Sequence, residues 1–243
     1  MIFAAGLGTR LRPLTNDRPK ALVELHGKPL LEWVILKLKD AGIQEFVVNV
    51  HHFGDLVIEF LHQRNHFGVN IQISDERAEL LETGGGIKFA APLLRGDEPI
   101  LIHNVDILSD LDVSALVRAH RSSDSIATLA MTERSTSRYL LVNEQDEIVG
   151  WKNVNTGQIR DSRIENNPYK NLAFSGIHVI SPRLLDQISE DGKFSIIDTY
   201  LRLAKTEKLV AFRHNADRWV DVGKPENFPK AEKLLEDLYH SLV

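Results

Sequence analysis

Phe46-Val47-Val48-Asn49-Val50 is a short β-branched run followed by Leu56, Val57, Phe60 and Leu61 at helical spacing, and this switch of period decides the fold. Upstream, Leu30, Leu31, Val34, Ile35 and Leu38 recur on one helical face, and Gly42 stands where that helix should end. Downstream the alternation continues with a strand over Val69–Ser74, a helix over Ile87–Leu94, a strand over Pro99–Val105, a helix over Val113–Arg121 and a strand over Ile126–Thr132. Strands and helices in this order predict an α/β fold with a doubly wound, mostly parallel sheet. After Glu133 the texture changes: Tyr139–Asn143 and Glu147–Lys152 read as a polar meander, and Asn153–Asn171 has no apolar helix. Regular structure is expected again at Phe174–Ile180, around Leu184, and over Ile196–Leu203, Leu209–Arg213, Trp219–Val222 and about Pro225–Leu242. The economical division of this single domain is a first part over 1–132, a smaller β-rich part over 133–224 and a C-terminal helix over 225–243.

With 243 residues, 43% of them hydrophobic, the chain can close a substantial core. A formal net charge of -5 argues against a protein that coats a nucleic-acid backbone, so any phosphate binding must be local. The absence of cysteine excludes disulfides, thiolate zinc sites and cysteine nucleophiles. The apolar run Met1–Ala5 is too short for a signal peptide or membrane span, so a cytoplasmic protein without membrane partners is expected.

Strand one runs into Gly6-Leu7-Gly8-Thr9-Arg10-Leu11-Arg12-Pro13-Leu14-Thr15 and then Arg18-Pro19-Lys20. Glycines let backbone amides approach an anion closely. Between Met1 and Lys20 the only acid is Asp17, against Arg10, Arg12, Arg18 and Lys20, so the loop is a concentrated anion site whose natural guest is phosphate. Leu11 stands where a dinucleotide fingerprint requires its third glycine, and no P-loop string occurs.

Asp106 follows the apolar strand Ile100–Val105, at the carboxyl end where open α/β sheets place ligand crevices. Asp221 lies in the apolar, aromatic run Trp219-Val220-Asp221-Val222-Gly223, where a lone buried carboxylate needs a cationic partner. Bound phosphates and hard oxygen ligands call for Mg2+, which takes one or two carboxylates and completes its shell with water and phosphate oxygens. The histidines His51, His52, His62, His66 and His103 show no zinc spacing and read as structural or surface residues.

The string Ala4–Thr15 with Arg18-Pro19-Lys20 resembles the signature of the sugar-1-phosphate nucleotidylyltransferase family over nearly its whole length. Glu82-Thr83-Gly84-Gly85-Gly86-Ile87, Phe174-Ser175-Gly176-Ile177 and Trp219–Gly223 look most like its short single-domain branch. That branch includes uridylyltransferases acting on N-acetylmuramate-1-phosphate and smaller mannose-1-phosphate guanylyltransferase-like proteins. The resemblance implies a Rossmann-like fold of the nucleotide-diphospho-sugar transferase type, with nucleotide on the first part and sugar phosphate on the second. It places Ala4, Ala5, Gly6, Leu7, Gly8, Thr9 and Arg10 around the triphosphate, with Arg10 on the leaving pyrophosphate and Lys20 on the reacting phosphates. Thr83, Gly84 and Gly85 would touch the base, Gly176 the sugar, and Asp106 and Asp221 the divalent ion. Val105 and Lys224 depart from the glycine and threonine often found beside the two aspartates. The E-K-P tripeptide that many relatives set on the sugar phosphate is missing, the nearest basic residues being Lys152, Arg160, Arg163 and Lys170.

The reaction so implied joins a nucleoside triphosphate to a sugar-1-phosphate, with no nucleic-acid partner and with a homo-oligomer compatible. UTP with an N-acetylmuramate-1-phosphate-like hexose phosphate ranks ahead of GTP with mannose-1-phosphate, because Gly84-Gly85 admits a small base close to the main chain. A non-sugar phosphate acceptor and a non-catalytic nucleotide-sugar sensor are the alternatives.

Overall fold

The computed structural model describes residues 1–161, 163 and 168–239. In chain order the strands are β1 (Ile2–Phe3), β2 (Glu24–Leu25), β3 (Lys28–Pro29), β4 (Glu45–Val50), β5 (Asn70–Asp75), β6 (Ile100–Asn104) and β7 (Ile107–Ser109). They continue with β8 (Ala127–Thr132), β9 (Arg138–Val142), β10 (Ile148–Asn153), β11 (Ile159–Asp161), β12 (Lys170–Ile180), β13 (Leu209–Arg213) and β14 (Trp219–Asp221). The α-helices are α1 (Leu30–Asp40), α2 (Gly54–Gln63), α3 (Glu82–Leu94), α4 (Val113–Ser122), α5 (Ile196–Leu203) and α6 (Phe228–Tyr239). The fold is α/β, as the alternation of periods predicts. Among the described residues no helix is long and apolar enough to cross a membrane.

Two compact units divide the chain, one formed by Met1–Leu80, His103–Val113 and Arg218–Val243, the other by Leu81–Ile102 and Ser114–Asp217. In the first, β1 pairs in parallel with β4 and with the end of β6, and β4 pairs in parallel with β5. All the strand residues of β4 from Phe46 to Val50 are buried, which is why the run carries no alternation. Helix α1 lacks a side-chain N-cap, a deficit of about 1 kcal/mol. Burying Leu30, Leu31, Val34, Ile35 and Leu38 outweighs it at roughly 1.5–3 kcal/mol per side chain. The chain then reverses at Gly42, whose φ of 88° suits a residue without Cβ.

In the second unit pairing is mainly antiparallel. β12 lies between β8 and β9, β10 links β9 to β11, and β13 runs parallel to β8. Three details differ from the sequence reading. Helix α3 begins at Glu82 rather than Ile87, the pattern around Leu184 is a 3-10 helix (Pro182–Gln187), and the last helix opens with a 3-10 turn (Pro225–Asn227). Residues 240–242 of that expected helix lie outside the described residues.

Candidate active site

The loop after β1 is held at both ends and open between them. The backbone N–H groups of Ala4 and Ala5 donate to Asn49 Oδ1 at 2.7 and 3.3 Å. Gly8 has a φ of +63°, and a Cβ there would lie 2.9 Å from Thr15 Cγ2 and 3.1 Å from Lys20 Cβ, so both conformation and space require glycine. A 3-10 turn over Thr9–Leu11 follows, closed by Leu11 N–H donating to the Gly8 carbonyl and by Thr15 Oγ1 donating to the same oxygen at 2.8 Å. Leu11 is fully buried and pins the turn. Among the described residues no protein acceptor takes the N–H groups of Gly6 through Arg10, which leaves a run of donors free for an anion. Lys20 Nζ is stationed beside this run, 3.6 Å from where a Cβ on Gly6 would stand.

The two aspartates are brought to one end of a small antiparallel ladder. β7 pairs with β14 so that Ile107 faces Asp221, and Val222 N–H donates to the Asp106 carbonyl at 2.8 Å. Lys37 on α1 anchors the other end of β7, donating to Ser109 O at 2.5 Å and Ser109 Oγ at 3.1 Å, and burial pushes its ammonium down to about 8. Lys20 Nζ donates to Asp106 Oδ2 at 2.6 Å, with both side chains largely buried. Arg10 Nη1 lies 3.8 Å from Asp221 Oδ2 on a more open flank. Gly223 marks the centre: a Cβ there would lie 2.7 Å from Asp221 Oδ1, 2.8 Å from Arg10 Nη2 and 2.8 Å from Asp106 Oδ2.

Charge within this cluster is unevenly matched. Burial works to raise the Asp106 carboxyl, but the Lys20 ammonium and its hydrogen bond hold it below the ordinary range. Burial and the negative charge of Asp106 push Asp221 above that range. Two carboxylate oxygens converge on a point that no side chain fills, and one of the two groups is short of positive charge. Among the described residues no cluster of three or more His, Cys, Asp or Glu side chains forms. The residues therefore fit a hard divalent cation that takes two carboxylates and finds its other ligands on water or phosphate, the habit of Mg2+.

Arg10, Lys20, Asp106 and Asp221 thus share one constellation with Gly6 and Gly8, whereas Ala4 and Ala5 spend their amides on Asn49. Thr83, Gly84, Gly85 and Gly176 belong to the second unit. There Gly84 N–H donates to Phe194 O at 2.9 Å and Thr83 Oγ1 accepts from Ile196 N–H at 3.0 Å. A Cβ on Gly84 would meet the Phe194 ring at 2.2 Å, and one on Gly85 the Gly192 carbonyl at 2.3 Å. Close packing accounts for these two buried glycines, so a base contact there rests on the family resemblance alone. Gly176 has a φ of 76° at a register shift of β12 against β8, between Phe174 and His178. Of the basic residues near the missing tripeptide, Arg160 pairs with Asp198 at 2.6 Å and Arg163 with Glu147 at 3.4 Å.

Sequence reasoning passed over Asn49, Glu76 and Lys37. Asn49 did carry a signal, a polar residue inside the apolar β4 run, and it is 2% exposed. Lys37, at the edge of the apolar face of α1, carried none.

A family model described as "Nucleotidyl transferase" matches residues 1–237. N-acetylmuramate alpha-1-phosphate uridylyltransferase of Caulobacter vibrioides is 36% identical, the alignment covering 98% of this chain and 96% of that protein. Mannose-1-phosphate guanyltransferase of Yarrowia lipolytica is 31% identical over 94% of this chain but 61% of its own length. Among solved structures, HddC from Yersinia pseudotuberculosis complexed with GMP-PN superposes with a TM-score of 0.74 at 25% identity, covering 96% of both chains. The open glycine loop, the paired aspartates and a match along nearly the whole chain agree, and the chain belongs to the nucleotidyl transferase family, among the sugar-1-phosphate nucleotidylyltransferases that its first loop resembles.

Proposed function

We propose that this enzyme is a magnesium-dependent uridylyltransferase that joins UTP to N-acetylmuramate-1-phosphate, or a closely similar N-acetylated hexose-1-phosphate, and releases pyrophosphate. The observation that carries the reaction is the convergence of Arg10, Asp106 and Asp221 on the space at Gly223, with Lys20 on Asp106 and free amides alongside. The substrate pair is supported by the relatives of matching length: those from Caulobacter vibrioides and Neisseria meningitidis, 36% and 35% identical, both bear the uridylyltransferase name and are covered over 96% of their length. GTP with a mannose-like sugar phosphate is the second reading, favoured by the guanyltransferase relative and by the neighbour solved with GMP-PN.

In this reaction an oxygen of the sugar-1-phosphate attacks the α-phosphorus in line, the bond from that phosphorus to the bridging oxygen breaks, and pyrophosphate leaves with its electron pair. The attacking oxygen is already ionised at neutral pH, so no protein base or nucleophile is needed. Asp106 and Asp221 would hold Mg2+, which when bound supplies charge neutralisation on phosphate oxygens. The amides from Gly6 to Arg10 cradle the triphosphate, Arg10 meets charge growing on pyrophosphate, and Lys20 holds the reacting phosphates together.

A matrix of UTP and GTP against N-acetylmuramate-1-phosphate, N-acetylglucosamine-1-phosphate and mannose-1-phosphate, read as pyrophosphate release with and without EDTA, tests the proposal. The expected result is the fastest release with UTP and N-acetylmuramate-1-phosphate, abolished by EDTA and restored by Mg2+. Fastest release with GTP and mannose-1-phosphate overturns the substrate pair; no release with any pair overturns the reaction.

A further inference from the structure

Toward β6 the end of β1 keeps a ladder hydrogen bond, Val105 N–H donating to the Phe3 carbonyl at 3.1 Å, but toward β4 it is tied by a side chain. Phe3 opposite Asn49 is the last register pair between β1 and β4, and beyond it the Asn49 carboxamide oxygen accepts from both Ala4 and Ala5. On the far side the same carboxamide donates from Nδ2 to Glu76 Oε1 at 2.8 Å. Asn49 and Glu76 are each 2% exposed. Glu76 is fixed in turn by its own backbone: its N–H donates to Val50 O at 2.8 Å, and its carbonyl accepts from His51 Nδ1–H at 2.7 Å.

A carboxamide has nearly the same shape in its two flipped orientations, and only its neighbours select one. Glu76 Oε1 is the acceptor here, so it turns Nδ2 toward itself and leaves Oδ1 facing the two amides. That orientation draws Ala4 and Ala5 toward β4, and the amides from Gly6 to Arg10, which no protein acceptor takes among the described residues, begin where this hold stops. We infer that Asn49 and Glu76 are positioning residues for the phosphate-binding loop, Glu76 setting the carboxamide and the carboxamide setting the loop. The inference rests on the proposed nucleotide site and adds to it two buried residues that touch no substrate.

The polarity of the pair supplies the test. Asn49→Asp sets two carboxylates face to face in a buried place where both cannot stay ionised. Adding Glu76→Gln restores one donor facing one acceptor, with Asp still able to accept from Ala4 and Ala5. Asn49→Ala removes the hold without adding charge and gives the same reading should Asn49→Asp not fold. UTP and pyrophosphate, each with Mg2+, are titrated calorimetrically into the full chain, and melting temperatures are recorded in parallel. The expected result is a loss of affinity of about tenfold or more for both ligands in Asn49→Asp and Asn49→Ala, with recovery to within about threefold in Asn49→Asp/Glu76→Gln. Lowered melting temperatures with unchanged affinities mean a purely structural pair and overturn the inference, as does a double variant no better than Asn49→Asp. A wild-type chain that binds neither UTP nor pyrophosphate overturns the nucleotide site itself, a distinct result.

Discussion

Gly223→Ala isolates the site from the fold. The backbone at Gly223 lies outside the left-handed region, so alanine is conformationally acceptable there. Its methyl would sit 2.7 Å from Asp221 Oδ1 and 2.8 Å from both Arg10 Nη2 and Asp106 Oδ2, closer than carbon and oxygen or nitrogen tolerate. None of the three is a backbone atom, so the strain is relieved by moving the charged ends of site residues, while β7 and β14 keep their pairing. Overpacking by one methyl costs roughly 1–3 kcal/mol. If that is drawn from transition-state alignment, kcat/KM falls by roughly 5- to 150-fold at about 1.4 kcal/mol per decade. Pyrophosphate release measures the loss, and a melting curve shows whether the fold has changed. A variant with wild-type kcat/KM would refute the claim that catalysis occupies the space at Gly223, and lost activity accompanied by a collapsed melting temperature would refute the claim that only side-chain ends move.

Asp106→Ala and Asp221→Ala should each lower turnover by roughly 100-fold or more in a folded chain, the scale of deleting one main electrostatic stabiliser; wild-type turnover in the double variant excludes the pair as cation ligands. Gly84→Ala should lower the melting temperature: alanine gains about 1 kcal/mol of helix propensity in α3, but a Cβ 2.2 Å from the Phe194 ring and 3.0 Å from Ile196 N imposes overpacking of up to about 3 kcal/mol. An unchanged or raised melting temperature would contradict that packing. His120 is 3% exposed, and burial, with Arg183 nearby, pushes it down to about 4 from 6.5. Its folded value lies below its unfolded one, so the stability it contributes is complete above pH 6.5 and is lost as pH falls from 6.5 to 4. His120→Gln should flatten the melting-temperature profile across that window, and an unaltered slope would rule out His120 as a contributor.

Fold class was legible because it depends on period. The five apolar positions of α1 and the β-branched run of β4, broken only by Asn49, are visible residue by residue, and both are buried as expected. The site was legible only where chemistry and spacing coincide, in the basic glycine loop and the two aspartates placed in apolar runs. What stayed hidden depends on approach between distant segments. Three glycines at 84–86 announce that something comes close, but period and composition do not say whether it is a ligand or Phe194. The early start of α3 escaped for the same reason, since glycine opposes helix and only packing on the segment from Gly192 to Ile196 overrides that preference. Lys37 shows the limit from the other side: a lysine at the edge of an apolar helical face gives no sign that its ammonium is buried on Ser109.

The charges of the site explain how it can hold so much of one sign in so small a space. Two carboxylates share the opening at Gly223, where Lys20 offsets Asp106 at hydrogen-bond distance while Arg10 offsets Asp221 from 3.8 Å. Coulomb attraction weakens with separation and with exposure to water, so the Arg10 pair is the poorer of the two. The imbalance appears in the carboxylates themselves, Asp106 held low and Asp221 pushed up. Arg10 is the cation with its side chain more than half exposed, and Lys20 the one that is mostly buried. On the proposed function this asymmetry divides the labour: the exposed guanidinium can swing to meet charge growing on a departing pyrophosphate, and the buried ammonium, fixed beside Gly6, stays with the phosphates that react.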